Sequence, residues 1–161
     1  AAVIFVTVFV AYTGGWGGVR ATGGSLHVEG YGYGVGKANA AQISAHLTGD
    51  IVCVNNGTNI APGQVAYSTD LPTKTAIFEG KNGKFFFQFD WTDAELGFSP
   101  SDWQTWGCPN SNWTVDYLHH FLTFTLKAVE SDGTVNDKVT ASFTCEMNPP
   151  ALSGEYTCSQ L

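Results

Sequence analysis

The chain has 161 residues, of which 13% are charged and 14% aromatic, and its formal net charge is −7. Seven Lys and Arg without a basic cluster argue against a nucleic-acid or anionic-membrane surface. No apolar run reaches the roughly 18 residues of a membrane-spanning helix, and many aromatics with little charge is the reverse of a disordered composition.

In chain order, Ala2 to Tyr12 (AVIFVTVFVAY) is β-branched and aromatic throughout. Val3, Phe5 and Phe9 alternate with Ile4, Val6, Val8 and Val10, which are equally apolar, so this segment reads as a strand buried on both faces. Gly14-Gly15-Trp16-Gly17-Gly18 reads as a loop. Ser25 to Gly34 is a weaker strand, diluted by glycine, and Gln42 to Val54 a clear one. On the latter, Ile43, Ala45, Leu47, Ile51 and Cys53 share one face and Gln42, Ser44, His46, Thr48 and Asp50 the other. Asn55 to Gln64 is a loop by composition. Thr75 to Phe78 and Phe85 to Trp91 flank Asn82-Gly83 and predict a hairpin, with Phe85, Phe87, Phe89 and Trp91 on one face. Thr92 to Asn112 is a long connection with one helical turn near Asp93-Ala94-Glu95-Leu96. Thr114 to Glu130 and Thr134 to Cys145 predict a second hairpin whose return strand turns Val139, Ala141, Phe143 and Cys145 inward and Lys138, Thr140, Ser142 and Thr144 outward, and Tyr156 to Cys158 closes the chain. The expectation is an all-β, single-domain sandwich of Ig-like general character, with seven to nine strands and disulfide stabilisation. One domain spans 1–161, divided into an apolar strand (1–13), a Gly/Tyr-rich segment (14–41) and a core (42–158).

Cys53, Cys108, Cys145 and Cys158 show no C-x-x-C spacing, which speaks against zinc, and no other metal or cofactor is expected. Their even number points to an oxidising, extracytoplasmic setting. Of the three connectivities, Cys145–Cys158 is favoured as a short loop across Pro149-Pro150, and Cys53–Cys108 follows by elimination. Residue 1 is expected near a mature start, any signal peptide having been removed.

The residues that could carry chemistry do not form a recognised constellation. His46 reads as an ordinary exposed histidine. His119 and His120 are neighbours on a strand, so their rings face opposite sides. Asp90, Asp93, Glu95 and Asp102 would have to converge with one another or with His119 or His120 to serve a small secreted hydrolase, and this is the third function in rank. Asp132-Gly133-Thr134 with Asn136-Asp137 reads as a turn rather than a calcium loop. Asn56 and Asn112 begin N-glycosylation sequons, and Asn56 is the better placed. Trp16, Tyr31, Tyr33, Trp103 and Trp106 lie in Gly-rich or loop contexts and are candidates for stacking on a sugar or anchoring an interface. Tyr31 and Tyr33 are equally explained as covering neighbouring glycines.

The ordered motifs Cys53-Val54-Asn55-Asn56-Gly57-Thr58-Asn59-Ile60-Ala61-Pro62-Gly63-Gln64 and Gly107-Cys108-Pro109-Asn110-Ser111-Asn112-Trp113-Thr114, with Lys81-Asn82-Gly83, Phe143-Thr144-Cys145, Pro149-Pro150 and Cys158, resemble a family of small secreted microbial β-proteins. The resemblance covers about residues 42 to 158. It implies secretion and a β fold and no activity.

The leading expectation is a non-enzymatic extracellular or cell-surface protein, structural or adhesive. It would polymerise into a filament when Val3, Ile4, Phe5, Val6, Val8, Phe9 and Val10 of one copy complete the sheet of another. Its main partner is then a second copy of itself. The alternative is a carbohydrate-binding module, with a glycan or cell-surface ligand on exposed Trp and Tyr.

Overall fold

The computed structural model describes residues 15–22, 26–33, 40–57, 59–61, 65–77, 80–81, 84–97, 99–130, 132–147 and 156–161. Among them are ten strands in two sheets. β1 (Gly15–Thr22), β2 (Leu26–Tyr33), β7 (Lys84–Trp91) and β6 (Gly80–Lys81) form the smaller sheet in the order β1-β2-β7-β6. The larger runs β10 (Thr157–Gln160), β9 (Val135–Met147), β8 (Thr114–Val129), β3 (Ala40–Val54), β4 (Val65–Asp70), with β5 (Lys74–Ile77) beside β4 on the same edge of β3. All pairings are antiparallel. The chain is thus an all-β, disulfide-stabilised sandwich, and the apolar strand expected at 1–13 lies outside the described residues.

Period-two alternation builds the core. Phe85, Phe87, Phe89 and Trp91 of β7 are buried and the residues between them exposed. Ile43, Leu47 and Ile51 of β3 point to the same interior, with Leu122, Phe124 and Leu126 of β8 and Phe143 and Cys145 of β9. Val139, Ala141, Phe143 and Cys145 are the inward set expected of the return strand. The helical turn also forms: α1 (Asp93–Leu96) is capped by Thr92, whose hydroxyl accepts from Glu95 N–H while the Glu95 carboxylate accepts from Thr92 N–H. That N–H, with the Lys74 ammonium 3.0 Å away, holds the Glu95 carboxyl below its ordinary range.

Two expectations are corrected. The run 14–18 reads as a loop, yet Gly15 to Gly18 begin β1. Trp16 is buried against Phe85 and Phe87, and this packing outweighs the weak strand propensity of glycine. Gly18, at φ +58°, absorbs the strain as a bulge where the β1–β2 register shifts. Gly32 is needed for a different reason: a Cβ there would lie 2.6 Å from the Phe85 ring. The second correction concerns only the partner strand of the hairpin expected at 82–83, which is Gly80–Lys81 and not the run 75–78. β7 pairs with β6, while residues 74–77 join β3 in the other sheet. The flanking runs look alike in composition, and only the partner surface decides which sheet each joins. β4 was not expected from the sequence.

One side of the sandwich is closed. Trp16 Nε1–H donates to Val139 O at 3.3 Å, and Tyr156 N–H to Ala21 O at 3.0 Å, joining the β1 margin to the opposite sheet and to the entry of β10. The disulfides are Cys53–Cys108 and Cys145–Cys158. The first ties the end of β3 to the long connection, and the second joins directly opposed positions of β9 and β10. No helix among the described residues is long and apolar enough to cross a membrane.

Tyr67 of β4 points inward, edge-on to the Trp106 ring at 5.9 Å. Burial pushes its phenol up to about 12. Because the folded value lies above the unfolded one near 10, the stabilisation is complete below pH 10 and is lost as pH rises from 10 through about 12. Alkaline unfolding followed by circular dichroism is expected to show a loss on the order of 2 kcal/mol over that window, absent in Tyr67→Phe. An identical alkaline profile in the two proteins would refute this.

Candidate functional site

Among the described residues, the margin of the sandwich opposite the Tyr156–Ala21 contact is open. β6 pairs with β7 only at Phe85 and Lys84. Among the described residues no strand pairs with the same edge of β7 beyond Phe85. Asp90 O on that edge accepts from Lys74 Nζ at 2.7 Å. Backbone alternation turns the N–H and C=O groups of Phe86 and Gln88 to the same side as those of Asp90. Trp91 Nε1–H donates to Pro72 O at 3.0 Å, so segment 72–74 covers only the last turn of the edge. A sheet ending in a two-residue strand therefore faces a larger one whose margin carries both β4 and β5. Among the described residues, the β7 edge past Phe85 therefore has no strand beside it. Behind that edge lie the buried aromatic side chains of Phe87, Phe89 and Trp91.

The outer face of the smaller sheet carries the exposed aromatics. Tyr31 lies 5.2 Å from Phe86 and 6.3 Å from Tyr33, centroid to centroid, and Tyr31 and Phe86 are exposed. A Cβ at Gly18 would meet the Tyr31 ring at 3.3 Å, so Tyr31 lies against that glycine. Lys84 Nζ sits over both tyrosines, 4.4 Å from the Tyr31 centroid and 5.1 Å from that of Tyr33. On the same face His27 bridges two carboxylates, Nδ1 to Asp90 at 2.7 Å and Nε2 to Glu29 at 2.9 Å. The cross-strand register produces this cluster, because His27 lies opposite Asp90.

The other candidates are dispersed. Trp16 is a correction: at 1% exposure it is a core residue and cannot present its ring to a ligand. Gly17 and Gly18 beside it suggest a loop, but the indole fills the space that Gly32 leaves. Trp103 and Trp106 are half-buried and pack on the core. Glu95 caps α1 and pairs with Lys74, Asp90 holds His27, and Asp102 accepts from Thr105. These carboxylates are each engaged locally and do not converge. Asp132 accepts from Thr134 N–H at 2.9 Å, which holds its carboxyl below the ordinary range and makes it a turn residue. His119 and His120 lie on β8, but their side chains, like Val3, Ile4, Phe5, Val6, Val8, Phe9 and Val10, fall outside what is described. Asn56 and Asn112 are exposed. Among the described residues no group of three His, Cys, Asp or Glu side chains is arranged to hold a metal ion.

The larger sheet holds a cluster that the sequence does not announce. His46 is opposite Asp70 and Thr48 opposite Ser68. The His46 ring lies between the two β4 residues, Nδ1 2.6 Å from Asp70 Oδ1 and Nε2 2.9 Å from Ser68 Oγ. The only available signal was the S-x-D alternation of Ser68 and Asp70, which has no meaning until the β3–β4 register is known.

No family model, no curated protein and no solved structure matches this chain.

Proposed function

We propose that the chain is an extracellular or cell-surface structural or adhesive protein whose copies join by β-strand addition. Residues 2–12 of one copy pair with the open edge of β7 in the next. The observation that carries this reading is that edge, unpaired past Phe85 among the described residues and backed by the inward aromatics of β7. Strand addition gains affinity from main-chain hydrogen bonds and specificity from alternate side chains. The donor run is apolar at every second residue on both faces except Thr7, so either face can cover the aromatic core. Two disulfides suit an oxidising setting outside the cytoplasm, and the low charge opposes association less than an ordinary surface does. An exposed edge left without such a partner is a hazard that proteins ordinarily blunt. Here Lys74 blunts only the Asp90 end.

The glycan alternative would use Tyr31, Tyr33 and Phe86. Lys84 already engages the faces of both tyrosines, the surface on which a sugar ring would stack, and strand addition therefore takes precedence.

Size-exclusion chromatography and electron microscopy of the full chain and of a chain lacking residues 1–13 test the proposal. Expected are oligomers or filaments from the full chain and a folded monomer from the shortened one. A full chain that stays monomeric would overturn it. So would a shortened chain that assembles unchanged, or one that loses its fold because residues 1–13 pair within their own copy.

A further inference from the structure

The geometry points to a nucleophilic serine on the outer face of the larger sheet: we propose that Ser68, with His46 as its base and Asp70 as a positioning residue, accepts an acyl group from an activated ester. The proposal does not rest on strand addition, and it departs from the sequence expectation that no residue here is catalytic.

The arrangement follows from register. Ser68 and Asp70 are two residues apart on β4 and so share a face, and β3 places His46 opposite Asp70, within reach of both. An ionised carboxylate only accepts hydrogen bonds. Asp70 Oδ1, 2.6 Å from Nδ1, therefore fixes the imidazole proton on Nδ1. That leaves the Nε2 lone pair facing Ser68 Oγ at 2.9 Å, the orientation in which Ser68 O–H donates to the ring. Both distances fall within the hydrogen-bond reach that a nucleophile, its base and the base's orienting group require. Ser68 is exposed, so its Oγ is open to a substrate. A cavity of about 270 Å³ on this face is lined by His46 and Asp70 with Ser44, Thr123, Thr125 and Ser142, and Ser68 stands outside its lining.

In the reaction, Ser68 Oγ bonds to the carbonyl carbon of the ester as its proton passes to His46 Nε2. The bond from that carbon to the leaving oxygen breaks, and the leaving oxygen takes the proton from Nε2. Water then hydrolyses the acyl-serine by the same path, returning the proton to Oγ. The sheet also sets the substrate class. Backbone N–H groups of paired strands lie in the ladder and not toward its face, so the ladder supplies no backbone oxyanion hole above Ser68. An oxyanion hole accounts for about 10²–10³ in rate per donor. The fitting substrates are therefore esters with good leaving groups, such as aryl esters, and not amides.

The test treats the intact protein with an aryl acetate and with an aryl sulfonyl fluoride, and locates the adducts by peptide mass spectrometry. Ser68 is expected to label much faster than the exposed Ser111 and Ser159 of the same molecule. His46→Ala and His46→Gln are expected to lower the Ser68 rate by about 10² or more, the range of general-base catalysis. Asp70→Asn is expected to lower the rate with an unchanged melting temperature, which separates positioning of the imidazole from a merely structural bond. Ser68 labelling no faster than Ser111 and Ser159 would overturn the proposal without recourse to any variant, as would a rate indifferent to both His46 substitutions.

Discussion

Replacing Trp16 with alanine is expected to cost about 3–5 kcal/mol, the range for removing a large aromatic side chain from a packed core. Trp16 is fully buried, packs edge-on to Phe85 at 5.9 Å and Phe87 at 5.5 Å, and donates its indole N–H to Val139 O in the opposite sheet. Truncation removes the packing, leaves a cavity that Gly32 cannot fill, and strands a carbonyl. Small domains are stable by only about 5–15 kcal/mol in total, so the urea midpoint should fall by a large fraction. Trp16→Phe should recover much of the loss and forfeit the inter-sheet hydrogen bond. A midpoint shift within experimental error for Trp16→Ala would mean that the indole is not the joint described here.

The second large effect concerns the disulfides, and it has an order as well as a size. Cys53 and Cys108 are 55 residues apart and Cys145 and Cys158 only 13. In the chain-entropy account, crosslinking removes freedom from the unfolded state in proportion to the logarithm of the loop. That gives about 4 kcal/mol for the longer loop and about 3 for the shorter. Packing points the same way. The shorter bridge joins strands already paired along a ladder, whereas the longer one pins the connection that carries Trp103 and Trp106 onto the core. Denaturant unfolding of the Cys53→Ala/Cys108→Ala and Cys145→Ala/Cys158→Ala double variants is expected to show the larger loss in the first. The reverse order would contradict this account.

Much of the sandwich is written in local alternation. The inward face of β7, the two faces of β3 and β9 and the capped turn at Asp93–Leu96 are all legible from residue type and spacing. The failures share one cause. β1 begins in a glycine run because Trp16 finds its partners in β7, some seventy residues away in sequence. The strand 74–77 joins β3 because its ladder partner lies in the other sheet. Information of that kind resides in the pairing, not in the segment. The same holds for the sites. His46, Ser68 and Asp70 are unremarkable apart, and His27 with Glu29 and Asp90 equally so, until antiparallel register sets each histidine beside its carboxylates. Trp16, by contrast, has glycine neighbours that suggest exposure, and only its partners in β7 show that it is core.

Amide hydrogen exchange across residues 84–91 tests the strand-addition account most directly, compared between the full chain and the chain lacking residues 1–13. The Gln88 N–H faces the edge of β7 that is unpaired among the described residues, and a strand pairing there would protect it. The account predicts slow exchange at Gln88 in assembled full-length protein and fast exchange in the shortened monomer, with the inward-paired amides of β7 unchanged. Equal exchange at Gln88 in both proteins, or slow exchange in a full chain that is monomeric, would contradict it.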